Sequence, residues 1–302
     1  MSKIITVFGS TEPQGHSLIL SLLKDHKYTI RAVVTRKTSS SDQASKLRDL
    51  GVQLFETNLD DRQSIATALE GAYGCFLYTE TDFGASNPEE REYQQGENVV
   101  DVAMVKKVQH IVFSTLPSVR QAIGISAANC DAKARINDYI NERELPRTSV
   151  IFPFSYQNLT TVFKPKKLQQ HVYGLGIPML NTSINMFDVN QAGPLLHYIF
   201  DNPAQTMNKT FNVVGDKLRV DEIAQIFAKV LKPNEFKDMK MQVEEFRRLP
   251  GEGIEDLGNM FEYFARHDLR FNMETTKKML PNVKNFEQWV VENKTSLYAI
   301  LN

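Results

Sequence analysis

A doubly wound parallel α/β sheet carrying a smaller, mostly helical lobe is the fold class that this sequence predicts, on three observations. The stretch Ile4-Ile5-Thr6-Val7-Phe8 is a β-branched and aromatic run that passes directly into the glycine-marked turn Gly9-Ser10-Thr11-Glu12-Pro13-Gln14-Gly15. A run of this kind is typical of a parallel strand covered on both faces. Five further short apolar runs follow before residue 153, with helix-length segments between them, and beyond Pro153 that alternation stops.

The elements follow in order. After the turn, Leu18, Leu20, Leu22 and Leu23 fall in a helical segment that ends before Asp25, and a second strand covers residues 29–35. Ser39-Ser40-Ser41-Asp42 offers a cap for a helix reaching Leu50, which Gly51 stops. A third strand covers 52–56, and Asp60 or Asp61 caps a helix over 62–69. The fourth strand is 74–78, and a polar loop leads into a helix over 89–107. Residues 110–115 make the fifth strand, 131–143 a helix, and 148–152 the sixth strand. Six strands alternating with helices describe a Rossmann-type sheet. Later helices are expected over 189–200, 220–231, 255–266 and 286–297, with a strand over 210–214. Residues 1–153 are thus read as the dinucleotide-binding domain and 154–302 as a mostly helical substrate or partner lobe, the chain crossing that boundary more than once.

Composition narrows the function. With 302 residues and 42% hydrophobic content the chain can bury a large core. Lys and Arg number 35 against 36 Asp and Glu, a net charge of -1, which offers nucleic acid or anionic lipid no general attraction. Cys75 and Cys130 are too few for a disulfide framework, and no Cys/His cluster has zinc-ligand spacing. No apolar run approaches ~18 residues, and Met1-Ser2-Lys3 runs straight into the first strand without a tripartite signal. The expectation is a soluble intracellular protein, cytoplasmic and compatible with the nucleus.

The turn is where such folds hold phosphate, because N–H groups opening the next helix and the helix dipole both favour an anion. Gly9 permits the tight turn and Gly15 close packing of helix on sheet. Glu12 stands where the fingerprint has its middle glycine. A carboxylate ~4 Å from a phosphate charge, at an effective dielectric of ~20, is repelled by ~4 kcal/mol. Either Glu12 points to solvent or the turn binds a dinucleotide poorly. Arg36-Lys37 ends the second strand, where a NAD site would place an acidic residue. Two cations suit a 2'-phosphate, so NADP(H) is implied, the other reading being a solvated basic turn. Thr79-Glu80 follows the fourth strand and Ser114 ends the fifth. Lys133 lies where a short-chain dehydrogenase has its catalytic lysine, but the residue four before it is Asn129, whose amide cannot supply a proton as a phenol does. Lys133 and Ser114 are the catalytic candidates, and Lys133 reads equally as a ribose ligand or a helix-surface lysine. His16 reads as a turn residue; His110, His171, His197 and His267 have no partner at diagnostic spacing. Cys130 reads as a buried inert thiol in preference to a redox-active one.

Taken together, these residues resemble the NmrA-like family, atypical relatives of short-chain dehydrogenases that bind NADP(H) and act as redox-sensing regulators. The likeness runs over nearly the whole chain. Its residues are Val7-Phe8-Gly9 with Gln14-Gly15, Val34-Thr35-Arg36, Asp60-Asp61, Gly71-Ala72-Tyr73, Phe113-Ser114, Asp131-x-Lys133, Pro153 with Asn158-Leu159, and Asp256-Leu257-Gly258-Asn259-Met260-Phe261. The resemblance implies that Gly9, Thr11, Gln14 and Gly15 touch the pyrophosphate, Arg36 the 2'-phosphate, Thr79 and Ser114 the ribose side, and Lys133 the nicotinamide ribose. Pro153, Tyr156 and Asn158 would shape the pocket floor. Departures from the family pattern are Glu12, Asn58 and Leu59 beside the adenine, and Gln94 where close relatives carry a basic residue. All of them weaken phosphate or adenine contacts, so NADP(H) is expected to bind weakly or not at all.

Two functions follow. One is a regulatory binding protein, in which the dinucleotide sets the conformation of the helical lobe and the lobe contacts a transcription factor or a metabolic enzyme, with no direct nucleic-acid or membrane contact; a homodimer is compatible. The other is an NADPH-dependent quinone or carbonyl reductase with Lys133 or a bound water as proton donor. No metal is expected in either.

Overall fold

The structure, a computed structural model, describes residues 2–267 and 269–301. Its chain divides into two compact units, Met1–Ser118 with Ala128–Ile151 and Asn190–Phe211, and Val119–Ala127 with Phe152–Val189 and Asn212–Asn302.

The first unit is built on strands β1 (Lys3–Val7), β2 (Tyr28–Val34), β3 (Gln53–Glu56), β4 (Gly74–Leu77), β5 (His110–Thr115) and β6 (Arg147–Ile151). Helices α1 (Pro13–Leu22), α2 (Asp42–Asp49), α3 (Arg62–Leu69) and α4 (Pro88–Val105) connect the first five, and α6 (Ala128–Glu142) follows α5 (Val119–Ile123), which belongs to the second unit. The order β3-β2-β1-β4-β5-β6 is that of a doubly wound sheet whose direction of winding reverses beside β1. All five pairings among these strands are parallel, with Val7 opposite Ala32 and Phe76, Leu77 opposite Phe113, and Thr115 opposite Ile151. Every residue of β4 and of β5 is buried, which is why their centres, Cys75-Phe76-Leu77 and Ile111-Val112-Phe113, read as apolar without alternation.

Caps fix the helix starts. Ser41 accepts the Ala44 N–H at 3.2 Å, Asp61 the Gln63 N–H at 2.9 Å, and Asn87 the Glu90 N–H at 3.3 Å. Asp61, not Asp60, is therefore the cap of α3. The strand expected over 210–214 in the helical lobe is Lys209–Asn212, and it extends the main sheet as a seventh strand beside β6. Thr148 holds the chain there by donating to the Thr206 carbonyl at 2.9 Å. Helix α7 (Ala192–Asp201) also belongs to the first unit and packs on α1. A Cβ at Gly193 would stand 2.0 Å from the Ser17 carbonyl oxygen, so only glycine permits this approach.

In the second unit helices outweigh strands, yet it holds two three-stranded sheets of which the sequence reading foresaw none. Phe154–Ser155, Ile184–Phe187 and Asp216–Leu218 form one; Lys166–Gln169, Val172–Leu175 and Glu235–Asp238 form the other. An aromatic core of Tyr156, Phe227, Phe236, Phe286 and Trp289 closes it. Within the family-like run, Asn259 lies on helix Ile254–Arg266, accepts from Arg247 at 2.7 Å and donates to the Ser126 carbonyl at 2.7 Å. No helix among the described residues is long and apolar enough to cross a membrane.

Candidate functional site

Because β1, β2, β4 and β5 are parallel and in register, the residues after Val7, Val34 and Leu77 and those ending β5 share one end of the sheet. Phe8 donates its N–H to the Phe76 carbonyl at 2.9 Å, and the chain then turns at Gly9 with φ +66°. That left-handed conformation favours glycine, and a Cβ there would meet Tyr78 Cδ1 at 2.7 Å. At Gly15 a Cβ would stand 2.2 Å from the Gly9 carbonyl oxygen. Gly15 thus lets the first helical turn lie against the backbone of the phosphate turn itself, a closer constraint than helix-on-sheet packing. The Ser10 hydroxyl donates to the Val33 carbonyl at 2.6 Å and ties the turn to β2.

Glu12 is the N-cap of α1, in an extended conformation (φ -79°, ψ 152°), and makes no side-chain cap bond. Pro13 follows at the first helical position and has no N–H to satisfy. The first donors of α1 therefore have no side-chain cap, the arrangement that binds anions at helix N-termini. Two carboxylates oppose that. Burial first, and then the nearby Glu80, hold the Glu12 carboxyl above the ordinary carboxylate range. The Tyr78 hydroxyl is raised as well, by burial and then by Glu12, Glu80 and Glu92. Gln14 Oε1 is buried without a hydrogen-bond partner, and turning the amide over would present its NH2 instead. Thr11 is half-buried.

Arg36 and Lys37 are exposed on the turn after β2. Thr35 and Thr38 brace this turn: the Thr35 N–H donates to the Thr38 hydroxyl and the Thr38 N–H to the Thr35 carbonyl, each at 3.0 Å, and the Ser39 hydroxyl donates to the Arg36 carbonyl at 3.1 Å. Neither cation has an ion-pair partner among the described residues. Both are available to a phosphate.

Across the sheet the polar atoms converge on a residue the sequence reading did not single out. Glu92 on α4 has a fully enclosed side chain; Lys133 Nζ lies 2.5 Å from its Oε1, Thr79 donates to the same oxygen at 2.6 Å, and Thr81 donates to Oε2. Two side chains expected on the ribose, Thr79 and Lys133, thus point to Glu92. Ser114 is buried at the end of β5, opposite Val150. Asn129 lies one turn before Lys133 on α6. Gln94 donates to Glu90 at 3.0 Å, and Asn58 uses its side chain to accept the Asp60 N–H at 3.0 Å.

The three residues expected on a pocket floor belong to the second unit. Tyr156 is fully enclosed there and donates to the Lys284 carbonyl at 3.2 Å, so it packs a core and lines no open floor. Pro153 and Asn158 are half-buried, and the Asn158 carbonyl accepts the Phe163 N–H at 2.8 Å.

The family model for the NmrA-like family matches residues 1–290. The chain belongs to the NmrA-like family. An NmrA-like family domain-containing protein of Dictyostelium discoideum is 25% identical over 242 residues, 76% of this chain and 78% of that one. An NmrA-like family domain-containing oxidoreductase of Aspergillus hancockii is 35% identical over 118 residues, 39% of this chain and 35% of the relative. The fold matches the crystal structure of NmrA, a negative transcriptional regulator, in complex with NADP, with a TM-score of 0.83, 19% identity and coverage of 99% of this chain and 97% of that one.

For an NmrA-like chain, Glu92 is the residue that sequence reasoning missed. Its signal was weak: one acid among many in the run Pro88 to Asn98, paired 41 positions away with Lys133. Both cysteines are buried, and burial pushes the Cys75 thiol up to about 12, which removes it from thiolate chemistry.

Proposed function

We propose that this NmrA-like chain binds NADP(H) at the turn of Gly9, Thr11, Gln14 and Gly15 with Arg36 and Lys37 on the 2'-phosphate, and acts as a dinucleotide-responsive regulatory protein without short-chain-dehydrogenase turnover. The observation that carries the reading is Lys133 bound to Glu92 with an asparagine at position 129. A phenol-to-lysine proton path has neither its donor nor a lysine free to tune one.

The uncapped start of α1 supplies backbone donors and Arg36 a planar fork for phosphate oxygens. Glu12 and Glu80 work against them, which favours a weak, exchangeable complex suited to sensing over tight retention. When bound, the dinucleotide would supply a hydride carrier. Regulation needs only that it bind one conformation of the chain better than another. A transcription factor or metabolic enzyme would read that difference, in the cytoplasm or the nucleus.

Isothermal titration with NADPH, NADP, NADH and NAD tests the reading. Saturable binding with preference for the phosphorylated pair supports it; no binding of any of them at millimolar concentration overturns it and leaves a cofactor-free scaffold. The reductase reading is favoured by the Aspergillus relative's description as an oxidoreductase. Oxidation of NADPH above the buffer rate on a quinone and carbonyl panel, followed by absorbance, would decide for it.

A further inference from the structure

Asp25, three residues beyond the end of α1, meets His197 and Asp201 of α7, and the three are potential metal ligands. One donor atom from each of Asp25, His197 and Asp201 lies within 4.8 Å of the other two. His197 Nε2 is 3.3 Å from Asp25 Oδ2 and 3.7 Å from Asp201 Oδ2. Two ligands each ~2.05 Å from a tetrahedral ion stand roughly 3.3 Å apart. The two measured edges are therefore within a few tenths of an ångström of that spacing.

Each donor group is also anchored by its other atom. The Ser21 hydroxyl lies 3.2 Å from His197 Nδ1, the Lys27 backbone N–H donates to Asp25 Oδ1 at 3.2 Å, and Tyr28 donates to Asp201 Oδ1 at 2.9 Å. Such outer partners are what orient metal-binding imidazoles and carboxylates. The atoms left over, Nε2 and the two Oδ2 oxygens, are the ones that converge. Independently, His197 Nε2 is buried with no hydrogen-bond partner although it faces those oxygens. A cation already sits beside them: Lys27 Nζ is 2.6 Å from Asp201 Oδ2 and 3.2 Å from Asp25 Oδ2, on a side chain 56% exposed. Its long stem can swing into solvent.

We propose that Asp25, His197 and Asp201 form a binding site for a divalent transition-metal ion of the Zn2+ class, with Lys27 as the competing internal cation. One imidazole and two carboxylates suit a borderline ion, and a fourth position would remain for water. The site lies at the opposite end of α1 from the phosphate turn and does not depend on the dinucleotide reading.

The full chain, tag-free and stripped with chelator, is titrated with ZnCl2 by calorimetry and with Co2+ by visible absorption. The expected result is one ion per chain, lost or weakened on the order of a hundredfold in His197→Gln and Asp201→Asn, and tightened roughly fivefold in Lys27→Met, where the competing ion pairs are gone. Thermal melts check that each variant is folded, and Lys27→Met carries the test if His197→Gln is not. Absence of saturable 1:1 binding in both the wild type and Lys27→Met overturns the site, as does undiminished binding in Asp201→Asn.

Discussion

The ammonium of Lys133 lies 2.5 Å from Oε1 of Glu92, and the Glu92 side chain is fully enclosed while that of Lys133 is 11% exposed. A pair this deep is costly to break from one side, because the survivor becomes an unpaired buried charge. Glu92→Leu or Lys133→Met alone should therefore destabilise the chain by ~3 kcal/mol or more, and the double variant should recover most of that loss. Urea denaturation of the four proteins checks it. Additive single effects would mean that the two charges do not depend on each other.

Arg36 is exposed on the turn after β2 and has no ion-pair partner among the described residues. If it grips a 2'-phosphate with paired charge-assisted bonds, Arg36→Ala should weaken NADPH roughly tenfold to a hundredfold and leave NADH nearly unchanged. Calorimetry on both ligands separates the cases. Equal losses would place Arg36 elsewhere than on the distinguishing phosphate.

Glu12 gives the site a pH dependence with a definite sign. Its carboxyl is raised by burial and then by Glu80, so it gains a proton as pH falls from neutrality through that raised value. The share of the phosphate repulsion that comes from Glu12 then disappears, and the turn should bind a dinucleotide more tightly on acidification. Glu12→Gln should strengthen NADP(H) binding at pH 7.5 by roughly tenfold and remove the difference at low pH. Titration of the ligand's own phosphate is common to both proteins, so the gap between their affinities isolates Glu12. A gap that stays constant with pH would refute the assignment.

The frame of the first unit was legible because its central strands are buried on both faces: β4 and β5 carry no exposed residue, so their apolar stretches survive in the sequence. Gly9 and Gly15 were legible because turn geometry demands them. Other features depend on partners far along the chain. Nothing local in Lys209–Asn212 says that it will extend a sheet beside β6, and the two-residue strand Phe154–Ser155 is too short for periodicity. Glu92 looked like one more solvated acid on a polar helix until Thr79, Thr81 and Lys133 were found around it. His197 has no partner at diagnostic spacing in the sequence, because Asp201, one helical turn on, makes a pair found on many helices and Asp25, the third member, stands 172 positions earlier (197 minus 25).

His110 should contribute to the response of the fold to acid. It is fully enclosed in β5, with Nε2 2.8 Å from the Thr148 hydroxyl, Nδ1 without a partner and Phe200 edge-on at 5.4 Å. Burial, and then Lys3, lower its pKa to about 4. Between the ordinary histidine value near 6.5 and that lowered value, the unfolded chain binds a proton that the folded chain refuses, so stability falls as pH falls through this window and is unaffected above it. At pH 4.5 the loss from this group alone should reach roughly 2 kcal/mol. His110→Gln keeps a hydrogen-bonding side chain near Thr148 but cannot titrate, so its loss of stability between pH 7 and pH 4.5 should be smaller than the wild type's by about that amount. Any cavity the substitution leaves acts at both pH values and cancels in the difference. Urea midpoints at the two pH values measure it, and parallel losses in the two proteins would show that His110 is not the group responsible.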